Sequence, residues 1–205
     1  MYLTRLTLDP RSAQSRRDLG DAYEMHRTLV RAFVAGPHNV PPRMLWRLEA
    51  VKDSVANPVV LVQSDAEADW LVLESIPNYL QRQAETKFVA LDQLIRAERV
   101  YRFRLLANPT VSRLGKRYGL LKETEQIAWI ERQGESHGFQ VQSCLVSAQD
   151  FFSTRGNGKP AVSIHRVRFE GILKALDEEA VKRALLAGIG PGKAFGCGLL
   201  SVAPC

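Results

Sequence analysis

The sequence predicts an α+β fold built from two consecutive βαββαβ units, and three observations carry that reading. Strand-like and helix-like hydrophobic patterns follow one another in the same order twice along the 205 residues. A hydrophobic content of 45% is enough to fill one large core or two small ones. An acid-leaning stretch that begins at Asp65 gives way to a basic one near Ile95, which marks the joint.

The opening YLTRLTL reads as a strand. Asp21 can cap a helix running from about Ala22 to Ala35, because its side chain accepts an orphan backbone N–H. Met25, Leu29 and Phe33 recur every four residues and define the buried stripe, while Arg27 and Arg31 fall together on another face. After the turn-rich GPHNVPP, the segments MLWRLEAV and PVVLVQS read as strands, and a short helix follows near ADWLVLES before Pro77 interrupts it.

The second pass begins at the alternating RVYRFRLLA, followed by a basic loop, PTVSRLGKRYG, and a helix around Glu123 to Gln133. Thr124 is a candidate cap for that helix, and Gly134 and Gly138 close it. FQVQSCLVS is the next strand; DFFSTR and AVSIHRVRFEG flank the turn GNGK. A helix from about Glu178 to Ala187 and a strand in FGCGLLSV complete the chain. Each unit makes a four-stranded antiparallel sheet covered by two helices, the ferredoxin-like arrangement shared with RNA-recognition motifs. The domains are expected at 1–94 and 95–205, with no residue-level internal repeat.

A net charge of +6 and a pI near 9.4 favour a polyanionic partner over an acidic substrate. The charge is concentrated between Arg99 and Lys122, which holds seven basic residues and no acidic one, as either a solvated face or an anion-binding surface. Cys144, Cys197 and Cys205 are odd in number and far apart, so neither a disulfide framework nor a zinc site is expected, and a reducing cytoplasm fits. The N-terminus carries charge inside its first apolar stretch, and no run approaches the roughly 18 apolar residues of a membrane span. His38, His137 and His165 lack metal-ligand spacing and read as loop or edge histidines. Asp177, Glu178 and Glu179 begin a helix, where acids complement the dipole. Trp46, Trp70 and Trp129 sit inside apolar runs and read as core. Neither a metal nor a cofactor is expected.

The sharpest local feature is AYEMHRTLVRAF, which sets Tyr23 and His26 three apart on one helix, away from the Met25 stripe and near Arg27 and Arg31. An imidazole can exchange a proton near neutral pH, a phenol can orient or activate a second group, and guanidinium groups can stabilise charge on a phosphate. The bland alternative is a Tyr–His hydrogen bond at a helix surface. In GIGPGKAFGCGLLSV, five glycines surround Lys193, so backbone N–H groups around Gly190 and Gly192 can approach an anion. A nucleotide-binding P-loop fails on spacing, since Ala187 and Ala194 stand where glycine and a hydroxyl are required. A helix C-cap plus tight turn is the structural alternative. Phosphates could also be gripped by Arg102 and Arg104, by the loop residues Arg113, Lys116 and Arg117, and by Arg155 and Lys159 at the GNGK tip.

The opening strand, the Tyr-x-x-His helix in YEMHRTL and the terminal GIGPGKAFGCGLLSV together resemble the CasE branch of the CRISPR repeat-processing endoribonucleases. The likeness extends through MLWRLEAV, VVLVQS, YRFRLLANP and RFEG, so it spans nearly the whole chain. The resemblance implies two tandem ferredoxin-like domains and metal-free cleavage at the 3′ base of a repeat stem-loop. The 2′-OH attacks the adjacent phosphate, leaving a 2′,3′-cyclic phosphate and a 5′-OH. By matching position, Tyr23 and His26 inherit the catalytic roles, without an assignment of acid and base, and Arg27 and Arg31 steady the phosphate. The family often has lysine in place of Arg31. The hairpin carrying Arg155 and Lys159 would lie along the RNA stem. The implied partners are the CRISPR repeat RNA and other subunits of the surveillance complex Cascade, with no direct DNA contact, no membrane and a monomer when free. The alternatives are a non-catalytic RNA-binding subunit of the same fold and, on the glycine-rich segment alone, a nucleotide-dependent enzyme.

Overall fold

Two four-stranded sheets, each antiparallel throughout, carry the chain. The computed structural model describes residues 1–34, 36, 39–49, 57–153 and 163–205. Two compact units divide it: residues 1–89 with Ala194–Gly196, and residues 90–193 with 197–205.

In the first unit the strands are β1 (Tyr2–Thr7), β2 (Met44–Leu48), β3 (Val59–Ser64) and β4 (Glu85–Phe88), in the order β2-β3-β1-β4. Period-two alternation in β1 buries Thr4 and Leu6 and exposes Arg5. β2 is buried along most of its length; even Arg47 is enclosed, held by Glu49 Oε1 at 2.6 Å. The edge strand β4 is exposed throughout, so no apolar pattern announces it, and it adds to β1 with a Thr4–Thr86 hydroxyl contact of 2.9 Å.

Between β1 and β2 the chain forms α1 (Ala13–Gly20) and α2 (Ala22–Val30). Ser12 caps α1, and Asp21 both ends α1 and caps α2, accepting from the Tyr23 N–H at 2.9 Å. The helix expected to reach Ala35 ends at Val30. Beyond it, Arg31, Ala32 and Phe33 donate three residues back, to Thr28, Leu29 and Val30, a tighter winding that closes the last turn. Met25 and Leu29 are core, and Phe33 packs edge-on to Trp70. α3 (Leu71–Glu74) is a single turn.

The second unit opens with α4 (Leu91–Leu94) and β5 (Val100–Ala107), then β6 (Thr110–Arg113), β7 (Lys116–Gly119) and α5 (Glu123–Ser136). It continues through β8 (Phe139–Ser153), β9 (Ser163–Ala175), α6 (Glu178–Ala187) and β10 (Leu200–Pro204), with sheet order β10-β5-β9-β8. In both sheets the first strand lies between the third and fourth, the ferredoxin-like arrangement; the chain is two such folds in tandem.

Three sequence expectations need correction in this unit. The basic loop after β5 is the antiparallel pair β6–β7, turned by Leu114 and Gly115, both at positive φ (49° and 74°), as a two-residue hairpin requires. α5 is not capped by Thr124: Lys122 occupies the cap position without a side-chain bond, and the helix runs through Gly134 to Ser136. FQVQSCLVS and the described part of DFFSTR, Asp150–Ser153, are one strand, β8, because register shifts at Val141/Ser143 and Val146/Ala148 interrupt its alternation without ending its pairing. Gly171 faces the first irregularity, where a Cβ would fall 2.0 Å from the Ser143 carbonyl oxygen. The core of this unit gathers Tyr101, Phe103, Trp129, Phe139, Phe169 and Leu173, with Trp129 stacked on Phe169 at 6.0 Å. Trp46, Trp70 and Trp129 are all buried, as expected.

Candidate functional site

α2 presents Tyr23, Glu24, His26 and Arg27 within the first two turns after its cap, Asp21. Tyr23 is half exposed, whereas His26 is partly covered and its Nδ1 is buried without a hydrogen-bond partner among the described residues. Burial pushes the imidazole below its ordinary value of 6.5, since desolvation disfavours the cation. The Nδ1 of His26 thus takes no part in the Tyr–His hydrogen bond that the sequence also allowed. Arg27 Nη1 donates to Glu24 Oε1 at 2.9 Å, and its guanidinium carbon lies 5.9 Å from the Tyr23 ring centre. Arg31 is exposed just past the helix, beside a groove of about 630 Å³ that Phe33, Asp69 and Val72 also border.

On β5, Arg102 and Arg104 are exposed between buried Tyr101, Phe103 and Leu105, so both project from one face of the second sheet. Arg104 is not a free cation: its Nε donates to Glu170, its cross-strand neighbour on β9. Arg113 opposes Lys116 and Ser112 opposes Arg117 on β6–β7, and all three basic side chains are exposed. Tyr118, exposed on β7, and Phe151, 68% exposed on β8, add ring faces that the sequence reading passed over. Phe151 stacks on His165 at 4.5 Å. His165 is a buried residue of the interior strand β9, its Nδ1 3.2 Å from the Leu120 carbonyl oxygen, rather than a loop or edge histidine. Arg155, Lys159 and His38 lie outside the described residues.

The segment between α6 and β10 has Gly188, Gly190, Gly192, Gly196 and Gly198 all at positive φ, between 73° and 93°. Lys193 opens a short 3₁₀ turn, Lys193–Phe195, and a strand follows rather than the helix of a P-loop. Gly192 has ordinary space around it, so its dihedral alone selects glycine; at Gly196 a Cβ would also come within 2.9 Å of the Trp46 ring. The N–H groups of Gly188, Ile189, Cys197 and Gly198 already bond carbonyls of Ala184, Gly198, Gly192 and Leu106. These bonds give the segment a firm structural role.

Asp177 caps α6, accepting from the Ala180 N–H at 3.0 Å, so the acidic run is structural. Among the described residues, no group of three or more His, Cys, Asp or Glu is placed to hold a metal ion, and no helix is long and apolar enough to cross a membrane. The three cysteines are unpaired; burial pushes the Cys197 thiol up to about 12 and the Cys144 thiol to about 11, which favours the protonated thiol over the thiolate at both.

The fold and these surfaces define a tandem ferredoxin-like protein with a desolvated histidine on one unit and an exposed basic hairpin on the other. A family model described as CRISPR associated protein matches residues 1–204. The chain is 39% identical to the CRISPR-associated endoribonuclease Cse3 of Thermus thermophilus and 29% identical to the Cascade subunit CasE of Escherichia coli, over the full length of all three. A structure of the Thermus protein, bound to an RNA representing a pre-cleavage complex, aligns with a TM-score of 0.87 at 38% identity, covering 99% of this chain and 98% of that one. This chain belongs to the CRISPR-associated protein family, in its CasE branch.

Proposed function

We propose that the protein is a metal-independent endoribonuclease that cuts CRISPR precursor RNA at the 3′ base of the repeat stem-loop and then retains the guide RNA as a Cascade subunit. The observation that carries the reading is the desolvated His26, with its unpartnered Nδ1, one turn from Tyr23 on α2. In the reaction the ribose 2′-oxygen attacks the adjacent phosphorus, its proton passes to a base, and the P–O5′ bond breaks as the leaving oxygen takes a proton from an acid. The products are a 2′,3′-cyclic phosphate and a 5′-OH. A neutral imidazole is competent to receive a proton, and an approaching phosphate favours the imidazolium that can return one. Tyr23 supplies the complementary hydroxyl. Arg27 and Arg31 supply donors to the phosphoryl oxygens, where charge builds.

The second unit supplies grip in this reading. Arg102, Arg104, Arg113, Lys116 and Arg117, together with Arg155 and Lys159, contact stem phosphates, and Gly190, Gly192 and Lys193 lie along the backbone. The deep major groove of A-form RNA resists side-chain readout, so recognition rests on phosphate position and stem shape. The E. coli relative's place as a Cascade subunit and the RNA-bound structure of the Thermus relative support the assignment.

The test is cleavage of an end-labelled repeat hairpin in EDTA by the wild type and His26→Ala, with identification of the product ends. Cutting to a cyclic phosphate that disappears in the variant, with affinity nearly intact, is the expected result. Tight binding without cutting by the wild type would leave a non-catalytic RNA-binding subunit instead.

A further inference from the structure

A chain of polar contacts runs from the core of the first unit to the Tyr23 face of α2. Tyr79, fully buried, donates its hydroxyl to Asp18 Oδ2 at 2.9 Å across 61 residues of sequence. Asp18, whose side chain is 0% exposed, accepts from Arg17 Nε and Nη2 at 3.1 and 2.9 Å through Oδ1. Arg17 Nε also lies 3.5 Å from Glu24 Oε2, while Glu24 Oε1 accepts from Arg27 Nη1 at 2.9 Å. Arg27 in turn sits over the Tyr23 ring. The chain begins on a tyrosine that nothing can easily displace and ends on a cation that stands in solvent, 61% exposed.

Glu24 is the unexpected member. A carboxylate on a surface that receives phosphate opposes binding through simple charge repulsion, and its side chain is only 22% exposed, which limits screening. Its place in the first turn of α2 favours any acid through the helix dipole. The dipole does not account for two guanidinium groups converging on its two oxygens, one anchored through Asp18 to the core and the other standing in solvent. A flexible arginine also loses rotamer entropy when it is ordered against a ligand.

We infer that Glu24 is a positioning residue, braced through Arg17 and Asp18 on Tyr79, which holds the Arg27 guanidinium over Tyr23 before RNA arrives. The inference rests on the reading of α2 as the cleavage site. It deepens that reading by naming what orders the phosphate-facing cation. The benefit falls on the chemical step, since the donor is already oriented when charge develops. The carboxylate itself works against affinity, so the two effects separate in one variant.

The experiment measures Kd for a repeat hairpin and the single-turnover cleavage rate at saturating RNA for the wild type, Glu24→Gln, Arg27→Ala and the double variant, with thermal melts as controls. Glu24→Gln is expected to cut about tenfold more slowly while binding as tightly as the wild type or more so. In the Arg27→Ala background the same change should have no further effect on rate. Arg17→Gln, which loosens the brace without touching Glu24, should slow cutting about threefold. Wild-type cleavage by Glu24→Gln, or a loss undiminished in the Arg27→Ala background, overturns the inference while leaving the nuclease reading intact. A wild type that binds the hairpin without cutting removes that reading and the inference with it.

Discussion

The two units order their strands alike and differ in the connection that leaves the first strand. In the second unit, a hairpin precedes one continuous 14-residue helix, α5, which buries Trp129 and Ile130 against its own sheet. In the first unit the same connection is broken at Asp21 into α1 and α2, and α2 turns Tyr23, the partly covered His26 and Arg27 outward, with Arg31 exposed just past its end. A shared scaffold thus tolerates one continuous packing helix in one copy and, in the other, a broken pair whose second helix exposes Tyr23 and Arg27. On the proposed function the first unit performs the chemistry and the second holds the RNA.

The largest effect that could break this division is His26→Ala. It should lower the metal-free cleavage rate about a thousandfold with little change in hairpin affinity, read by single-turnover kinetics beside a binding titration. Next, replacing Arg113, Lys116 and Arg117 together by alanine should weaken binding on the order of tenfold and reduce the salt slope by about three, while the rate at saturating RNA stays near wild type. A rate loss in the hairpin variant, or an affinity loss in the histidine variant, would dissolve the comparison.

Two glycines of the terminal segment sharpen it at smaller cost. Gly192→Ala meets only the positive φ and should destabilise by about 1 kcal/mol in denaturant unfolding. Gly196→Ala adds contact with Trp46 and should lose about 1 kcal/mol or more beyond that.

The smallest effect concerns pH. The folded chain disfavours protonated His26, whereas the unfolded chain accepts the proton at the ordinary 6.5. Stability is therefore fully present above 6.5 and declines as pH falls from there toward the lower folded value, and His26→Gln should remove that share of the decline in pH-dependent melts. The same group should place an inflection below 6.5 in the rate at subsaturating RNA. A rate that rises with pH through the inflection assigns His26 as base, and one that falls assigns it as acid.

Much of the fold was legible because its signals are local. Alternation marks β1 and β5, Asp21 and Asp177 cap the helices that come after them, and the span of α6 was read at its observed ends. The candidate site was legible as a motif, Tyr-x-x-His with arginines on a helix surface. α1 was not: its polar sequence buries Ser15 and Asp18 rather than an apolar stripe. β4 escaped because an exposed edge strand needs no apolar face, and β8 was split because its irregularities disturb the period by which strands are recognised.

By itself, then, the sequence determined the order and type of most elements, the aspartate caps of α2 and α6, the tryptophan core and the turn-forming glycines, since each depends on neighbours a few residues away. Only the tertiary structure decided that the Nδ1 of His26 is buried while Tyr23 stays half exposed, that β6 pairs with β7, and that Tyr79 meets Asp18. Desolvation and buried hydrogen bonds depend on which distant segments arrive at the same place, and no window along the chain contains that information.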